Sequence, residues 1–158
     1  MSEKEKPGEK TIARNKRARF DYELGERYEA GIALLGSEAK ALRERSADLG
    51  ESFCVIVKGE ALLEGVNIPE IAHAAFGHKA KRTRKLLLHK VEIAALERAI
   101  ARDGMTIVPT RLYFKEGRVK VELSVAKGLK KGDRREAVRE REAEREARAA
   151  IGRGRKGL

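Results

Sequence analysis

The chain has 158 residues, a formal net charge of +11 and one cysteine, Cys54. This length suits a single domain with extensions, and a lone cysteine excludes a disulfide framework, so we expect Cys54 to be a reduced, buried side chain. No stretch approaches 18 apolar residues, and the start "MSEKEKPGEK" lacks the apolar segment of a signal peptide. We therefore expect no membrane span and a cytoplasmic protein.

The charge is arranged in blocks along the chain. The net charge is +4 over residues 1–20, −6 over 21–78, +6 over 79–90, +1 over 91–126 and +6 over 127–158. Three separated basic blocks around an acidic to neutral body favour a long polyanion such as a nucleic acid over a small anion. The alternative is that these side chains only solvate the surface.

The N-terminal half predicts a disordered arm, a strand and a helix. Residues 1–11 are polar and predict the arm. From Phe20, "FDYELGERYEAGIALL" predicts a strand in which Gly25 and Gly31 are bulge or bend positions. The next segment, "GSEAKALRERSADLG", predicts a short helix that begins at Ser37 and ends near Gly50.

The middle of the chain predicts a hairpin and a second helix. In "ESFCVIVKGEALLEGVNI", two β-rich runs are divided by Lys58 and Gly59, which predicts a hairpin turn. Pro69–Arg84 is irregular. Helical spacing in "KLLLHKVEIAALERAIARDG" then predicts a helix that stops at Asp103 and Gly104.

The last regular segment, "MTIVPTRLYFKEGRVKVELSV", predicts two strands joined by a turn at Glu116 and Gly117, with Pro109 at an edge or a bulge. Short antiparallel strands and small helices together predict a mainly β fold with peripheral α-helices. The best match is an OB-like closed barrel over residues 12–128. A basic, charged tail over 129–158 follows it.

The tail cannot pack by itself. "REAVREREAEREARAA" has high helix propensity, but its segment holds few large apolar side chains, so it has no apolar stripe to bury. An isolated helix of this kind is marginal in water. We therefore predict a tail that folds on a partner.

Catalytic and metal-binding patterns are missing from the sequence. The histidines His73, His78 and His89 and the single thiol form no zinc-ligand spacing, and we expect neither a metal nor a cofactor. No nucleophile elbow, phosphate loop or dinucleotide fingerprint occurs. The sequence therefore indicates a binding protein and not an enzyme.

Two groups of residues are interpreted as ordinary structure. Glu29, Glu38 and Glu51 are more typical of surface carboxylates than of paired catalytic acids. Aromatic residues make up only 4% of the chain. Because Phe53, Tyr113 and Phe114 lie in strand patterns, we expect them in the core and not on a base-stacking platform. Recognition of RNA shape and phosphates is favoured over base-by-base reading.

Four segments together resemble one family. "IARNKRARFDYEL..RYEAGIALLGSEAKALR", "KRTRKLLLHK", "LYFKEGRVKVELSVAKG" and "GDRRE" are similar, in order and spacing, to the SsrA-binding protein family (small protein B), the bacterial partner of transfer-messenger RNA. The resemblance covers residues 12–150. It implies an OB-like barrel that binds the tRNA-like domain of this RNA and carries it to stalled ribosomes. It also implies a tail that becomes helical in the empty mRNA channel.

The resemblance also implies site residues. The family's N-K-[KR]-A motif, its glutamate and its basic segments give the RNA-binding candidates Asn15, Lys16, Arg17, Glu29, Lys81, Arg82, Arg84, Lys85 and Lys127. The candidates for ribosome contact in the tail are Gly128, Lys130, Lys131, Asp133, Arg134 and Arg135. Basic side chains would contact phosphates, so binding should weaken steeply with salt. Leu86, Leu87 and Leu88 are interpreted chiefly as packing residues.

Glu29 has two readings. It could accept hydrogen bonds from a base edge or orient a neighbouring arginine, or it could pair with a buried arginine as part of the fold. The chain departs from the family pattern at Gly132, where a stacking residue is common, and at Lys79 and Ala80, where Asp-Pro is common. Arg134 replaces the lysine of the tail's D-K-R motif, which exchanges a compact ammonium for a planar guanidinium.

Our hypothesis is an RNA-binding adaptor of ribosome rescue. One rival is a general ribosome-associated or assembly protein, which would stay on all ribosomes. The other is an RNA-processing enzyme, which would turn over RNA and for which no acid/base or metal motif was found.

Overall fold

The computed structural model describes residues 7–44, 46–70 and 79–128, and the fold is mainly antiparallel β with short helices, as predicted. The strands are β1 (Glu9–Arg14), β2 (Tyr22–Ile32), β3 (Phe53–Val57), β4 (Glu60–Glu64), β5 (Arg84–Leu87), β6 (Thr106–Lys115) and β7 (Arg118–Gly128). The helices are α1 (Ala18–Asp21), α2 (Gly36–Glu44) and α3 (Lys90–Asp103).

The strands form one sheet in the order β1-β6-β3-β4-β5-β2-β7, with a further pairing between β6 and β7. Every pairing is antiparallel. The pairings from β6 through β3, β4, β5, β2 and β7 therefore lead back to β6. Such a ring leaves few unpaired strand edges among the strands that compose it.

The two predicted hairpin turns are confirmed. Lys58 and Gly59 have φ values of 50° and 75°, and Glu116 and Gly117 have φ values of 50° and 79°. Two successive residues with positive φ are typical of the type I′ turn, whose twist matches that of the paired strands. Glycine accepts this conformation without the steric cost that a Cβ atom brings.

Irregular strand positions were predicted at Gly25, Gly31 and Pro109, and two of the three are bulges. The register of β2 against β7 shifts between Leu24 and Arg27, which confirms the bulge at Gly25. The register of β6 against β7 shifts beside Pro109, which selects the bulge over the edge position. Gly31 pairs regularly with Leu87 and with Lys120, so of the two predicted alternatives, bulge or bend, the bulge is wrong there.

Two strands differ from the sequence predictions. Residues 9–11, expected in the disordered arm, lie in β1 and pair with the C-terminal half of β6. Residues 84–87, expected to be irregular or to open the second helix, form β5 between β4 and β2. A short apolar run does not distinguish a strand from a helix, and here the neighbouring strands decide. The helix itself begins at Lys90.

The core lies inside the sheet, where α2 and α3 each add one face. Leu42 of α2 and Leu96 of α3 are buried in it with side chains from the strands. Cys54 and Tyr113 are buried as predicted. Phe53 was predicted to be in the core, but it is 42% exposed because it alternates with the inward-facing Cys54.

Candidate RNA-binding surface

A groove of about 590 Å³ lies on the outer face of the sheet, between β2, β5 and β7 and the start of α3. Its residues follow from strand alternation. Ala30, Leu86 and Val121 are buried in the core, so their neighbours along each strand point outward. The outward-facing groove residues from these strands are Glu29, Gly31, Lys85, Leu87 and Lys120, and Leu86 also borders the groove. We call this feature the Glu29 groove.

An exposed leucine lies across the floor of the Glu29 groove. Leu87 is 55% exposed, whereas its neighbour Leu86 is 2% exposed. The packing interpretation therefore holds for Leu86 and was wrong for Leu87. A Cβ atom on Gly31 would lie 3.2 Å from the Cβ of Leu87, so the glycine leaves the room that this side chain occupies. The result is an apolar surface between charged rims.

Glu29 is held at one rim by two donors. The Tyr113 hydroxyl donates a hydrogen bond to Oε2, and Lys115 Nζ lies 3.2 Å from each carboxylate oxygen. Partial burial alone would raise the pKa of Glu29, but the bonds from Tyr113 and Lys115 and the charge of Lys120 lower it below the ordinary value. The carboxylate is therefore ionised at neutral pH, and its side chain remains 39% exposed.

The buried arginine next to this site pairs with other acids. Arg111 lies 3.1 Å from Glu9 and 3.9 Å from Glu122. Its guanidinium carbon is 4.0 Å from the centre of the Tyr113 ring, a cation–π contact that also restrains the tyrosine. The reading in which Glu29 pairs with a buried arginine is therefore not what the structure shows.

Cations surround the Glu29 groove. Lys85 Nζ is 3.4 Å from Glu60 Oε1, and both side chains are about half exposed. Lys120 lies opposite Gly31 on β7, and His89 and Lys90 line the end of the groove at the start of α3. An exposed ion pair of this kind is weak in water, so its lysine can exchange partners at little cost.

Asn15 positions a basic turn and is not itself exposed. Its Nδ2 donates to the Pro109 carbonyl at 2.9 Å, its Oδ1 accepts from the Ala18 amide at 3.2 Å, and the residue is 8% exposed. Lys16 and Arg17 between these contacts are exposed. The Asn15 side chain is thus engaged within the fold, next to two exposed cations, and its contact with RNA stays a prediction.

The predicted basic segment divides into exposed and buried residues. Lys81 and Lys85 are exposed, and Arg82 is partly exposed. Arg84 is fully buried and pairs with Glu38, so the prediction that it contacts phosphates was wrong. Glu38 is also fully buried, which corrects its interpretation as a surface carboxylate. Strand alternation puts Arg84 inward, and only the acid on α2 makes that burial possible.

Lys127 is exposed near the end of β7, opposite Glu23 of β2, and Gly128 ends the strand opposite Tyr22. The remaining candidates of the tail, Lys130, Lys131, Asp133, Arg134 and Arg135, lie outside the described residues, as does Gly132.

Contacts between loops link the turn at Lys16 and Arg17 to the segment around Lys81. Arg17 lies 3.8 Å from Glu51, and residues 48 and 67 pair through their backbones. The Ile68 amide then donates to the Ala80 carbonyl at 3.0 Å. The two basic segments are therefore linked through packed loops.

Sequence reasoning missed most residues of the Glu29 groove, among them Leu87 and Lys120. Period-two alternation in "GRVKVELSV" puts Lys120 on the same face as Glu122, so a signal for its exposure was present. For Leu87 no local signal existed, since three consecutive leucines do not reveal which one faces outward.

Within residues 7–44, 46–70 and 79–128, no group of three His, Cys, Asp or Glu side chains could hold a metal ion. In the same part of the chain, no helix combines the length and the apolar character needed to cross a membrane.

Comparison with known proteins identifies the family. A family model described as SmpB protein matches residues 12–153. The chain belongs to the SmpB family. It is 56% identical over 155 residues to an SsrA-binding protein of Sorangium cellulosum, covering 98% of this chain and 96% of the relative. It is 49% identical over 152 residues to an SsrA-binding protein of Nocardioides sp., covering 96% of each.

A solved structure of the family is also similar. It is described as "tmRNA-SmpB: a journey to the center of the bacterial ribosome" and is 41% identical in sequence, with a TM-score of 0.66. The match covers 82% of this chain and 96% of the other. Because fold and sequence agree over most of both chains, the family assignment does not rest on short motifs.

Proposed function

We propose that this chain is an RNA-binding adaptor of trans-translation, which binds the tRNA-like domain of transfer-messenger RNA and delivers it to stalled ribosomes. The observation that carries the proposal is the similarity, over nearly the whole chain, to proteins named for binding SsrA. The similar solved structure, described as tmRNA-SmpB in the bacterial ribosome, supports both partners. Ribosome rescue of this kind takes place in the cytoplasm.

The Glu29 groove is the part of the surface that best suits a folded RNA. Lys85 and Lys120 would neutralise phosphates, and the exposed Leu87 offers an apolar contact for a base or sugar. The Glu29 carboxylate is ionised and partly exposed, so it can accept hydrogen bonds from a base edge. A second contact would come from the exposed cations Lys16, Arg17 and Lys81 on loops and Lys127 near the end of β7.

The ring of strand pairings supports a closed, OB-like barrel as the RNA-binding body. We place this body at Glu9–Gly128, because β1 begins before residue 12. The basic segment 129–158 would act afterwards, as a tail that folds in the mRNA channel of the ribosome. The role we assign is binding and delivery, with no catalytic step and no cofactor.

The test measures binding to a transfer-messenger RNA transcript, with an elongator tRNA as competitor, over a range of salt concentrations. We expect the full chain and a chain truncated after Gly128 to bind within about threefold of each other, and tightly in preference to the competitor. Only the full chain should support peptide tagging on stalled ribosomes. Loss of RNA binding on truncation would contradict the separation of body and tail.

In the same assay, charge reversal at two places distinguishes binding through particular basic residues from binding that depends only on net charge. Lys16→Glu with Arg17→Glu should weaken binding at least tenfold, about 1.4 kcal/mol or more. The matched control is Arg98→Glu with Arg102→Glu, which changes the net charge equally on exposed positions of α3. Equal losses for both pairs, or no preference for the transcript, would favour a general ribosome-associated protein.

A further inference from the structure

A buried carboxylate lies under the basic segment that precedes β5. Glu38 of α2 has no exposed surface. It accepts hydrogen bonds from the Leu35 amide at 2.8 Å, from Arg82 Nε at 3.1 Å and from Arg84 Nε. A second bond joins Arg82 Nη2 to Oε1. Two guanidinium groups therefore converge on one acid that is fully excluded from water.

Arg84 also binds the backbone of two loops. Besides Nε, its two terminal nitrogens donate to four backbone carbonyls. These are Val66 at 2.8 Å, Ala80 at 3.1 Å, Arg82 at 3.3 Å and Lys79 at 3.5 Å. All five donors of a guanidinium can be used in this way. Three of the four acceptors belong to residues 79–82.

The segment 79–82 is not held by the backbone hydrogen-bond pattern of a helix or a sheet. It lies outside every helix and strand, and its Ala80 carbonyl accepts a backbone hydrogen bond from the Ile68 amide. Lys79 and Lys81 on this segment are exposed. The backbone that presents these two ammonium groups is therefore held mainly by a buried side chain.

Stability alone is a weak reason for such an arrangement. Removing two charges from water costs several kcal/mol per ion, and well-packed apolar residues often stabilise a fold as well as a buried ion pair does. What an apolar pair cannot supply is a set of directional bonds, three of which hold the backbone of residues 79–82. The planar guanidinium supplies them, and Glu38 makes its burial possible.

We propose that Glu38 and Arg84 are positioning residues of the RNA interface, which together with Arg82 set the places of Lys79 and Lys81 against the phosphates of the bound RNA. This inference rests on the proposed function. Neither positioning residue touches RNA: Arg84 acts on the loop backbone, and Glu38 acts on Arg84.

The test is a double-mutant cycle read by RNA affinity and its salt dependence. Glu38→Gln keeps the shape of the side chain and removes its charge, and Arg84→Lys keeps a cation but removes most of the bonds to the loop. Lys81→Gln removes one phosphate contact, which should weaken binding about 3- to 10-fold and reduce the slope of log K against log salt by about 0.7–0.9. Melting and circular dichroism check the fold of each variant.

If the loop is positioned by the pair, Glu38→Gln and Arg84→Lys reduce the slope as Lys81→Gln does. Lys81→Gln then has little further effect in either background. Lys120→Gln, in the Glu29 groove, is the matched control and should remain additive with both. Additive losses for Lys81→Gln, or an unchanged slope in folded Glu38→Gln protein, would overturn the proposal.

A milder variant keeps the proposal testable if the Glu38 and Arg84 variants do not fold. Arg82→Gln alters a partly exposed side chain and leaves the Glu38–Arg84 contact in place, and we expect it to show part of the same coupling to Lys81→Gln. If none of the three variants folds, the pair serves folding and the positioning role is wrong. If the unaltered chain shows no preference for the transcript over an elongator tRNA, the proposed function fails instead.

Discussion

The side chain of Glu29 is held by two donors, Lys115 and the buried Tyr113. Tyr113 is buried, and its pKa is raised by burial and by the hydrogen bond and charge of Glu29. Its hydroxyl therefore keeps its proton and acts as a donor, while Arg111 restrains the ring from the other side. These contacts hold the Glu29 carboxylate at the groove, which suits the base-edge contact proposed for it.

Replacing Tyr113 by phenylalanine tests this arrangement. The pKa of Glu29 should rise toward its ordinary value, because a hydrogen bond that lowers it is lost. At neutral pH Glu29 stays ionised, so the several-fold loss of RNA affinity that we expect there comes from the lost orientation of its carboxylate. On acidification, affinity should decline from a higher pH, because the ionised form is the one proposed to bind. Unfolding should cost about 1.5 kcal/mol less, as for a bond to a charged group.

The matched control is Tyr28→Phe. The Tyr28 hydroxyl also donates to a glutamate, Glu26, at 3.0 Å, but neither residue lines the Glu29 groove. Carboxyl NMR titration of Glu29 and RNA binding against pH compare the two variants. If both variants shift these curves equally, Tyr113 has no special relation to Glu29.

At the scale of elements, the connection after β4 requires the backbone at Gly65 to lie very close to the backbone at Glu51. Gly65 has a φ of 81°, and a Cβ atom there would lie 2.6 Å from the Glu51 carbonyl oxygen. This approach brings the segment before β3 against the end of β4. The same loops connect the Lys16 turn with the Lys81 segment, so the glycine supports the surface proposed for RNA.

Gly65→Ala should therefore destabilise the fold through two costs, positive φ and a clash with backbone. Gly59→Ala isolates the first cost, since Gly59 has a φ of 75° and no atom within 4 Å of an added Cβ. We expect Gly65→Ala to lower the free energy of unfolding by at least about 2 kcal/mol more than Gly59→Ala. Urea unfolding measures both, and equal losses would mean that the junction relaxes freely.

At the scale of the whole molecule, the ring of paired strands contains one very short pairing, between β3 and β6. Only the Cys54–Ile107 pair joins β3 to β6 among the described residues, whereas β6 pairs with β7 along most of its length. Cys54 is buried at this junction, and burial raises the pKa of its thiol from the ordinary 9.0 to about 12. The only thiol of the chain thus reports on the opening of the ring.

We predict that a thiol reagent modifies the native protein very slowly near pH 8. The raised pKa alone lowers the thiolate population about 1,000-fold relative to the ordinary value. The free energy of opening derived from the modification rate should be smaller than that of global unfolding in urea, because the junction opens locally. Equal values would show that the ring opens only when the whole domain unfolds.

The parts of the fold that could be predicted are those with local signals. The turns at Lys58–Gly59 and Glu116–Gly117 contain a glycine between alternating runs, and both were correct. Strand β1 was missed because "EKTIAR" has little hydrophobic pattern and is held by its pairing with β6. Strand β5 was missed because a leucine run suits a helix equally well until β4 and β2 enclose it.

The sequence by itself determined the β-rich class, the charge blocks, the main turns and the family resemblance. These depend on residues close together in the chain or on motifs in a fixed order. Only the tertiary structure decided which basic residues face the solvent. Arg84 is interior because Glu38, 46 positions earlier, neutralises it there, and Arg84 also binds the carbonyl of Ala80 beside the exposed Lys81. Burial of a charge is a property of its partners in space, and no local pattern encodes them.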